Sequence, residues 1–129
     1  MQDQRHQDGL KLLERLYGES AGVFLESLSQ IAPSVAGYSV DFVFGDIYSR
    51  ATLDLKQRQL LTVAVLAALG GCEPQLKVHI GAALNLGLSP NEIVETIIHC
   101  IPFVGFPRSL NAIAAARSIF EDRKVRPEW

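Results

Sequence analysis

The stretch that decides the fold is LGGCEPQLKVHIGAALNLGLSPNEIVETIIHC, residues Leu69 to Cys100. Two glycines end an apolar run, and a proline follows at a position where a helix can begin. Further on, SPNE combines a serine cap, a proline at the first helical position and a glutamate two residues later. These signals predict a helix from about Pro74 that stops at Gly87, and a second from Pro90 to about Ile101, where the next proline would disrupt it.

The rest of the chain also carries apolar side chains at helical spacing. We predict helices that end at Gly18 and before Pro33, a long helix over Leu55–Leu69, and a last helix over Pro107–Arg123. The apolar residues of Val40–Ile47 fit helix or strand by periodicity, and the helical neighbours favour helix. The prediction is an all-α single domain over residues 1–129, a helical bundle of about six to seven helices.

Composition excludes several kinds of partner. The chain has 129 residues, 48% of them hydrophobic, and a net charge of -2, so it can bury a core and has no excess of basic side chains for nucleic acid or an anionic membrane. The longest apolar run, Leu60–Gly71, is too short to span a bilayer, and the polar start does not resemble a signal peptide. We expect a cytoplasmic protein with neither a nucleic-acid nor a membrane partner.

Both cysteines and two of the three histidines lie in the quoted stretch. Cys72 would begin a helix, where free N–H groups favour a thiolate, but it could equally be a small buried apolar side chain, as we expect for Cys100. His79 is either a catalyst or a core residue bonded to backbone. His99 and Cys100 point about 100° apart on a helix, and neither CxxC nor HxxxH occurs, so we expect no metal.

Three motifs carry a family resemblance: FGDIYSR at 44–50, HIGAALNLG at 79–87 and GFPRSLNA at 105–112. Over about Phe42 to Ala116 the chain resembles the carboxymuconolactone decarboxylase family, within the alkylhydroperoxidase D-like superfamily. The resemblance implies small all-helical subunits that assemble into trimers or hexamers. It also implies one of two activities: a decarboxylase without metal or organic cofactor that acts on 4-carboxymuconolactone in aromatic-acid breakdown, or a peroxidase with a CxxC pair and a nearby His and Glu.

The resemblance assigns candidate catalytic residues position by position. His79 matches the histidine that both branches share, and Cys72 matches the first cysteine of the CxxC pair. Gln75 stands where the second cysteine, or commonly a glutamate in the decarboxylase, would be, and Gln59 falls near the relay glutamate of the peroxidase branch. These two are expected to support the site. A dithiol cycle cannot close within CEPQ, and Cys100 could replace the missing thiol only with a Cα–Cα distance of about 7 Å or less to Cys72.

One function class is a cofactor-free lyase acting on a small molecule. Arg50, with Arg58 or Arg108 in reserve, would hold substrate carboxylates, and Tyr48 of the same motif would line the substrate site. His79 would protonate the carbon left electron-rich as CO2 departs.

Two alternatives stay open. In the first, Cys72 is the reactive group of a thiol peroxidase or redox sensor that needs an external thiol. In the second, the protein keeps the fold and binds a ligand without catalysis. Arg50 itself could instead serve in a surface or intersubunit salt bridge.

Overall fold

The computed structural model describes residues 3–129, and every regular element in that range is helical. The elements are α1 (Gln4–Tyr17), α2 (Ser20–Ile31), α3 (Pro33–Tyr38), a π-helical segment (Ser39–Ile47), α4 (Leu55–Leu69), α5 (Glu73–Asn85), α6 (Pro90–Val104) and α7 (Phe106–Arg123). The predicted all-α class is therefore confirmed. Within residues 3–129, no helix is long and apolar enough to cross a membrane.

The helix ends follow the sequence signals with one exception. Ser89 forms a complete capping box with Glu92 at the start of α6, as predicted. The predicted end of that helix near Ile101 was wrong, because α6 continues through Pro102 to Val104 and is followed by the C-cap Gly105, whose φ is 86°. A proline in the last turn removes only its own N–H from the helix ladder, so the helix can continue until a glycine ends it.

The segment Val40–Ile47 is helical and not a strand, with a wider winding than an α-helix. Its buried residues, Val40 and Phe44, are four positions apart, and the ring of Phe44 lies 5.2 Å from that of Tyr48. This spacing keeps one apolar side chain per turn on the same face of the π-helical segment.

The helices form two compact units, the first ending at Leu55 and the second comprising Lys56–Trp129. The expectation of a single domain stays a prediction. In the first unit α1 packs against the π-helical segment, and α2 and α3 pack against each other. Two side-chain contacts join α1 to the π-helical segment: an ion pair of Arg5 with Asp46 at 2.9 Å, and a hydrogen bond between His6 Nδ1 and Asp41 Oδ1 at 2.6 Å.

Glycines bring the backbones of α1 and the π-helical segment together. A Cβ on Gly9 would collide with the carbonyl oxygen of Val40, and one on Gly45 would lie 2.5 Å from the carbonyl oxygen of Arg5. Only a residue without a side chain fits at either position.

The second unit contains an apolar core built by all four of its helices. Its buried members are Val63, Ala67, Leu76, Ile80, Ala83, Leu88, Ile93, Ile97, Cys100, Ala112, Ala115, Ala116 and Phe120. Small side chains on α7 let the neighbouring helices approach closely. Between α4 and α5, Gly70 and Gly71 have φ values of 68° and 71°, which allow a sharp turn that L side chains rarely adopt.

We predict that Gly9→Ala destabilises the protein by about 2 kcal/mol, because the added methyl group must push two backbones apart. Gly22→Ala is the matched control: it is also helical, and a Cβ there meets nothing within 4 Å. That change should be neutral or stabilise by up to about 1 kcal/mol. Denaturant unfolding measures both, and equal effects of the two substitutions would contradict the close packing.

Candidate functional site

The histidine singled out from the sequence is held by a buried glutamine of the neighbouring helix. Gln59 on α4 has no exposed surface, and His79 on α5 is half-buried. The amide nitrogen Nε2 of Gln59 lies 3.0 Å from Nδ1 of the His79 ring and 2.9 Å from the His79 carbonyl oxygen. Both hydrogens of one amide group thus point at one residue.

Helix α4 places this amide in the core by simple spacing. Gln59, Val63 and Ala67 follow one another at every fourth position and are the buried residues of α4. Residues four apart lie on one helix face, so Gln59 occupies the first position of an otherwise apolar stripe. A buried amide costs free energy unless its polar atoms are bonded, and His79 provides the partners for the nitrogen.

Burial also sets the charge of the histidine. Desolvation lowers the pKa of His79 to about 4, because a charged ring loses more hydration than a neutral one. At pH 7 only on the order of one ring in a thousand then carries a charge. The side chain is a neutral imidazole under physiological conditions.

Cys72 lies at the N-cap position of α5, which confirms the predicted placement at a helix start. Its side chain is half-buried and does not cap the helix; its Sγ lies 3.5 Å from the carbonyl oxygen of Gly70. Arg108, at the start of α7, packs over the same turn, since a Cβ on Gly70 would lie 2.9 Å from Arg108 Nε. An arginine therefore neighbours the turn that carries the thiol.

Cys100 is buried, as predicted. Its Sγ lies 3.4 Å from the carbonyl oxygen of Thr96 and 3.8 Å from that of Ala64. Burial raises the pKa of the Cys100 thiol, which makes it a weaker nucleophile at neutral pH. Both cysteines are free thiols.

The remaining candidates are spread over both units. Arg58 precedes Gln59 on α4 and is half-buried, whereas Gln75 on α5 is exposed. Tyr48 and Arg50 follow the π-helical segment in the first unit; Tyr48 is half-buried and Arg50 is exposed. Of the sequence candidates in the second unit, the structure joins Gln59 and His79 by direct hydrogen bonds.

The surface grooves of the second unit include two of similar size, and His79 lines neither. One, of about 340 Å³, is lined by Glu73, Lys77, Asn111, Ala114 and Ala115. The other, of about 350 Å³, is apolar and lies between α6, α7 and the segment after α7. No group of three His, Cys, Asp or Glu side chains within residues 3–129 is arranged to hold a metal ion.

Two residues of the site carry little signal in the sequence. From the sequence, Gln59 is a candidate only because it lies near the position of a family glutamate. Its four-residue spacing from Val63 and Ala67 also places a polar side chain on the apolar face of α4. Arg108 was a reserve candidate, and its contact with Gly70 had no sequence signal beyond the paired glycines of the turn.

Comparison with known proteins gives one consistent result. A sequence model of the carboxymuconolactone decarboxylase family matches residues 33–118. The chain is 34% identical over 127 residues to 4-carboxymuconolactone decarboxylase of Acinetobacter baylyi, covering 98% of this chain and 94% of that protein. It is 30% identical to an uncharacterized 15.0 kDa protein of Paracoccus denitrificans, over 76% of this chain and 74% of that protein. It is 27% identical to nitrosuccinic acid decarboxylase of Metarhizium robertsii, over 69% and 62% of the two chains. These matches confirm the resemblance carried by the motifs, and the chain belongs to the carboxymuconolactone decarboxylase family.

Proposed function

We propose that this protein is a cofactor-free lyase that removes CO2 from a carboxylated lactone, or a related small acid, in aromatic-compound catabolism. The observation that carries the proposal is the neutral His79 ring held by a buried amide, at the position where the family motif has its histidine. Two relatives bear the names of decarboxylases, one for 4-carboxymuconolactone and the other for nitrosuccinic acid.

The reaction needs stabilisation of developing charge more than it needs a strong acid. The carbon–carbon bond to the carboxylate breaks, CO2 leaves, and the electron pair stays on the substrate, where conjugation carries it to the lactone carbonyl oxygen. A hydrogen bond from a neutral histidine to that oxygen stabilises the charge. A proton from water is then added to carbon, which completes the enol-lactone product.

This role differs from the one expected from the sequence, in which His79 itself protonates the carbon. A neutral ring that gives up its proton becomes an imidazolate, which is strongly unfavourable near pH 7. The lowered pKa therefore favours hydrogen-bond donation over direct proton transfer.

Arginines are the proposed partners of the substrate carboxylates, because a guanidinium binds a carboxylate through two parallel hydrogen bonds. Arg50, with Tyr48 beside it in the motif, remains the first candidate on the strength of the family resemblance. Arg58 directly precedes Gln59, and Arg108 packs over the turn before α5. These positions support both as alternatives.

A thiol peroxidase is the second candidate, favoured by one observation. Cys72 is a free, half-buried thiol at the N-cap position of a 13-residue helix, so part of its surface stays open to a small oxidant. Peroxide would oxidise it to a sulfenic acid, and an external thiol would have to reduce that product. Gln59, being an amide, cannot relay the proton as a glutamate would.

We also propose that the subunits form a trimer or hexamer in the cytoplasm. On α4, Leu61, Val65 and Leu69 form an exposed stripe at four-residue spacing, each between 52% and 60% exposed. Near the start of α7, Phe103, Phe106 and Leu110 are between 60% and 77% exposed. Monomers rarely leave such patches in water, so a second copy of the chain is the expected cover.

Light scattering should therefore report a trimer or hexamer at micromolar concentration. Val65→Lys, in the centre of the α4 stripe, should lower the mass, because a lysine would have to be desolvated in the contact. Glu95→Lys changes an exposed charged position and should leave the mass unchanged. A monomeric unmodified protein would refute the assembly.

Thiol labelling near neutral pH should modify Cys72 much faster than Cys100, which is buried and has a raised pKa. Mass spectrometry after brief exposure to a thiol reagent gives both rates. Cys100→Ser should keep the fast phase and Cys72→Ser should abolish it. Equal, slow labelling at both sites would eliminate the peroxidase candidate.

Substitution at the two candidate residues separates the activities. With 4-carboxymuconolactone as substrate, His79→Asn should lower kcat on the order of a hundredfold, as expected for a lost donor to developing charge, and Cys72→Ser should change it little. With a hydroperoxide and added dithiol, a peroxidase would show the reverse, since an alcohol cannot replace the thiolate. If the unmodified protein turns over neither substrate, ligand binding without catalysis becomes the better proposal.

A further inference from the structure

We propose that Gln59 is a positioning residue that holds His79 as the tautomer with its proton on Nε2, so that the ring presents an N–H donor to the substrate. The inference deepens the proposed function, because it states which atom of His79 acts and which groups on a ligand it can recognise. It rests on the arrangement of hydrogen-bonding atoms around one buried amide.

The orientation of the amide follows from the His79 backbone. A carbonyl oxygen can only accept a hydrogen bond, so the amide atom 2.9 Å from the His79 carbonyl oxygen must be the nitrogen of Gln59. Rotating the amide by half a turn would place two oxygens against each other. The present orientation is kept even though Gln59 Oε1 is buried without a hydrogen-bond partner in the described part of the chain. The contacts of the nitrogen therefore outweigh the loss at the oxygen.

The second hydrogen of the same nitrogen fixes the ring. It points to Nδ1 of His79 at 3.0 Å, and a hydrogen on Nδ1 would face it directly. Nδ1 must therefore accept the bond with its lone pair. In a neutral imidazole one nitrogen donates while the other accepts, so the proton lies on Nε2. Protonation of both ring nitrogens would break this contact. The contact therefore disfavours the charged ring, as burial also does.

A second histidine of the chain shows the opposite arrangement. In the first unit, Nδ1 of His6 lies 2.6 Å from Oδ1 of Asp41. A carboxylate only accepts hydrogen bonds, so Nδ1 of His6 carries a proton. His6 is therefore an internal reference in which an acceptor, and not a donor, faces the same ring atom.

The tautomer limits what His79 can do. With Nδ1 occupied and Nε2 protonated, the ring has no free lone pair with which to remove a proton from a C–H group. It can donate from Nε2 to an oxygen that carries negative charge. We therefore infer that the site selects ligands by a carbonyl or carboxylate oxygen at the reacting end, and not by an acidic C–H bond.

The test is an NMR measurement of the ring nitrogens in protein labelled with ¹⁵N-histidine, which is independent of turnover. The His79 signals are assigned by their loss in His79→Asn and their retention in His99→Asn, a change at an exposed site. At pH 7 we expect a protonated Nε2 and an unprotonated Nδ1, persisting down to about pH 5 because the His79 pKa lies near 4. His6 should show a protonated Nδ1. A proton on Nδ1 of His79 at pH 7 would overturn the inference.

Two substitutions test the cause. In Gln59→Glu a carboxylate replaces the donor, so Nδ1 should become protonated and the ring should stay charged to a higher pH. Methionine in Gln59→Met has a similar length but cannot donate a hydrogen bond. The change in the ¹⁵N chemical shift of Nδ1 that the amide hydrogen bond causes should therefore disappear. An unchanged Nδ1 signal in Gln59→Met would contradict a positioning role. If neither variant folds, the unmodified protein still decides the tautomer.

The outcome is separable from that of the proposed function. The expected tautomer in a protein that releases no CO2 would support positioning by Gln59 and refute the lyase. The opposite tautomer in an active lyase would refute the positioning and leave the activity intact.

Discussion

One amide with two hydrogens connects α4 to α5 and determines the state of the candidate catalytic side chain. Gln59 is fully buried and its nitrogen bonds both the ring and the backbone of His79. Loss of such bonds in a dry interior costs about 1–3 kcal/mol for each polar group left unsatisfied, so the contact is stable once formed. Burial keeps the His79 ring neutral, and the proposed position of its proton on Nε2 depends on this contact.

The backbone around the site is shaped by glycine. Gly70 and Gly71 adopt positive φ values, which let α5 begin shortly after α4 ends and bring Cys72 to the N-cap position of α5. In the first unit, Gly9 and Gly45 remove the side chains that would separate α1 from the π-helical segment. In the first unit glycine allows a close contact between backbones, whereas in the second it allows a turn with positive φ.

Departures from the family pattern affect the peroxidase candidate most directly, although Gln75 also stands where the decarboxylase commonly has a glutamate. Gln75 is exposed, and it replaces the second thiol that a dithiol peroxidase would need. Gln59 has an amide near the place where the peroxidase branch has a carboxylate. An amide cannot exchange protons with a thiol, but it can orient an imidazole. A reaction that depends on a fixed hydrogen-bond donor tolerates this replacement, whereas a proton relay does not.

Periodicity and end signals were sufficient to predict the all-α class, most helix ends and the start of α6 at Ser89, because these depend on interactions within a few residues. The motifs were sufficient to predict the family and to single out His79. The tertiary structure decided the rest. The end of α6 depended on how little a proline disturbs a last turn, and the π winding of Ser39–Ile47 had no local signal. The pairing of Gln59 with His79 joins residues 20 positions apart on different helices. Such a contact, and the charge state that follows from its burial, exists only after the helices pack, which is why the sequence identified the histidine but not its chemistry.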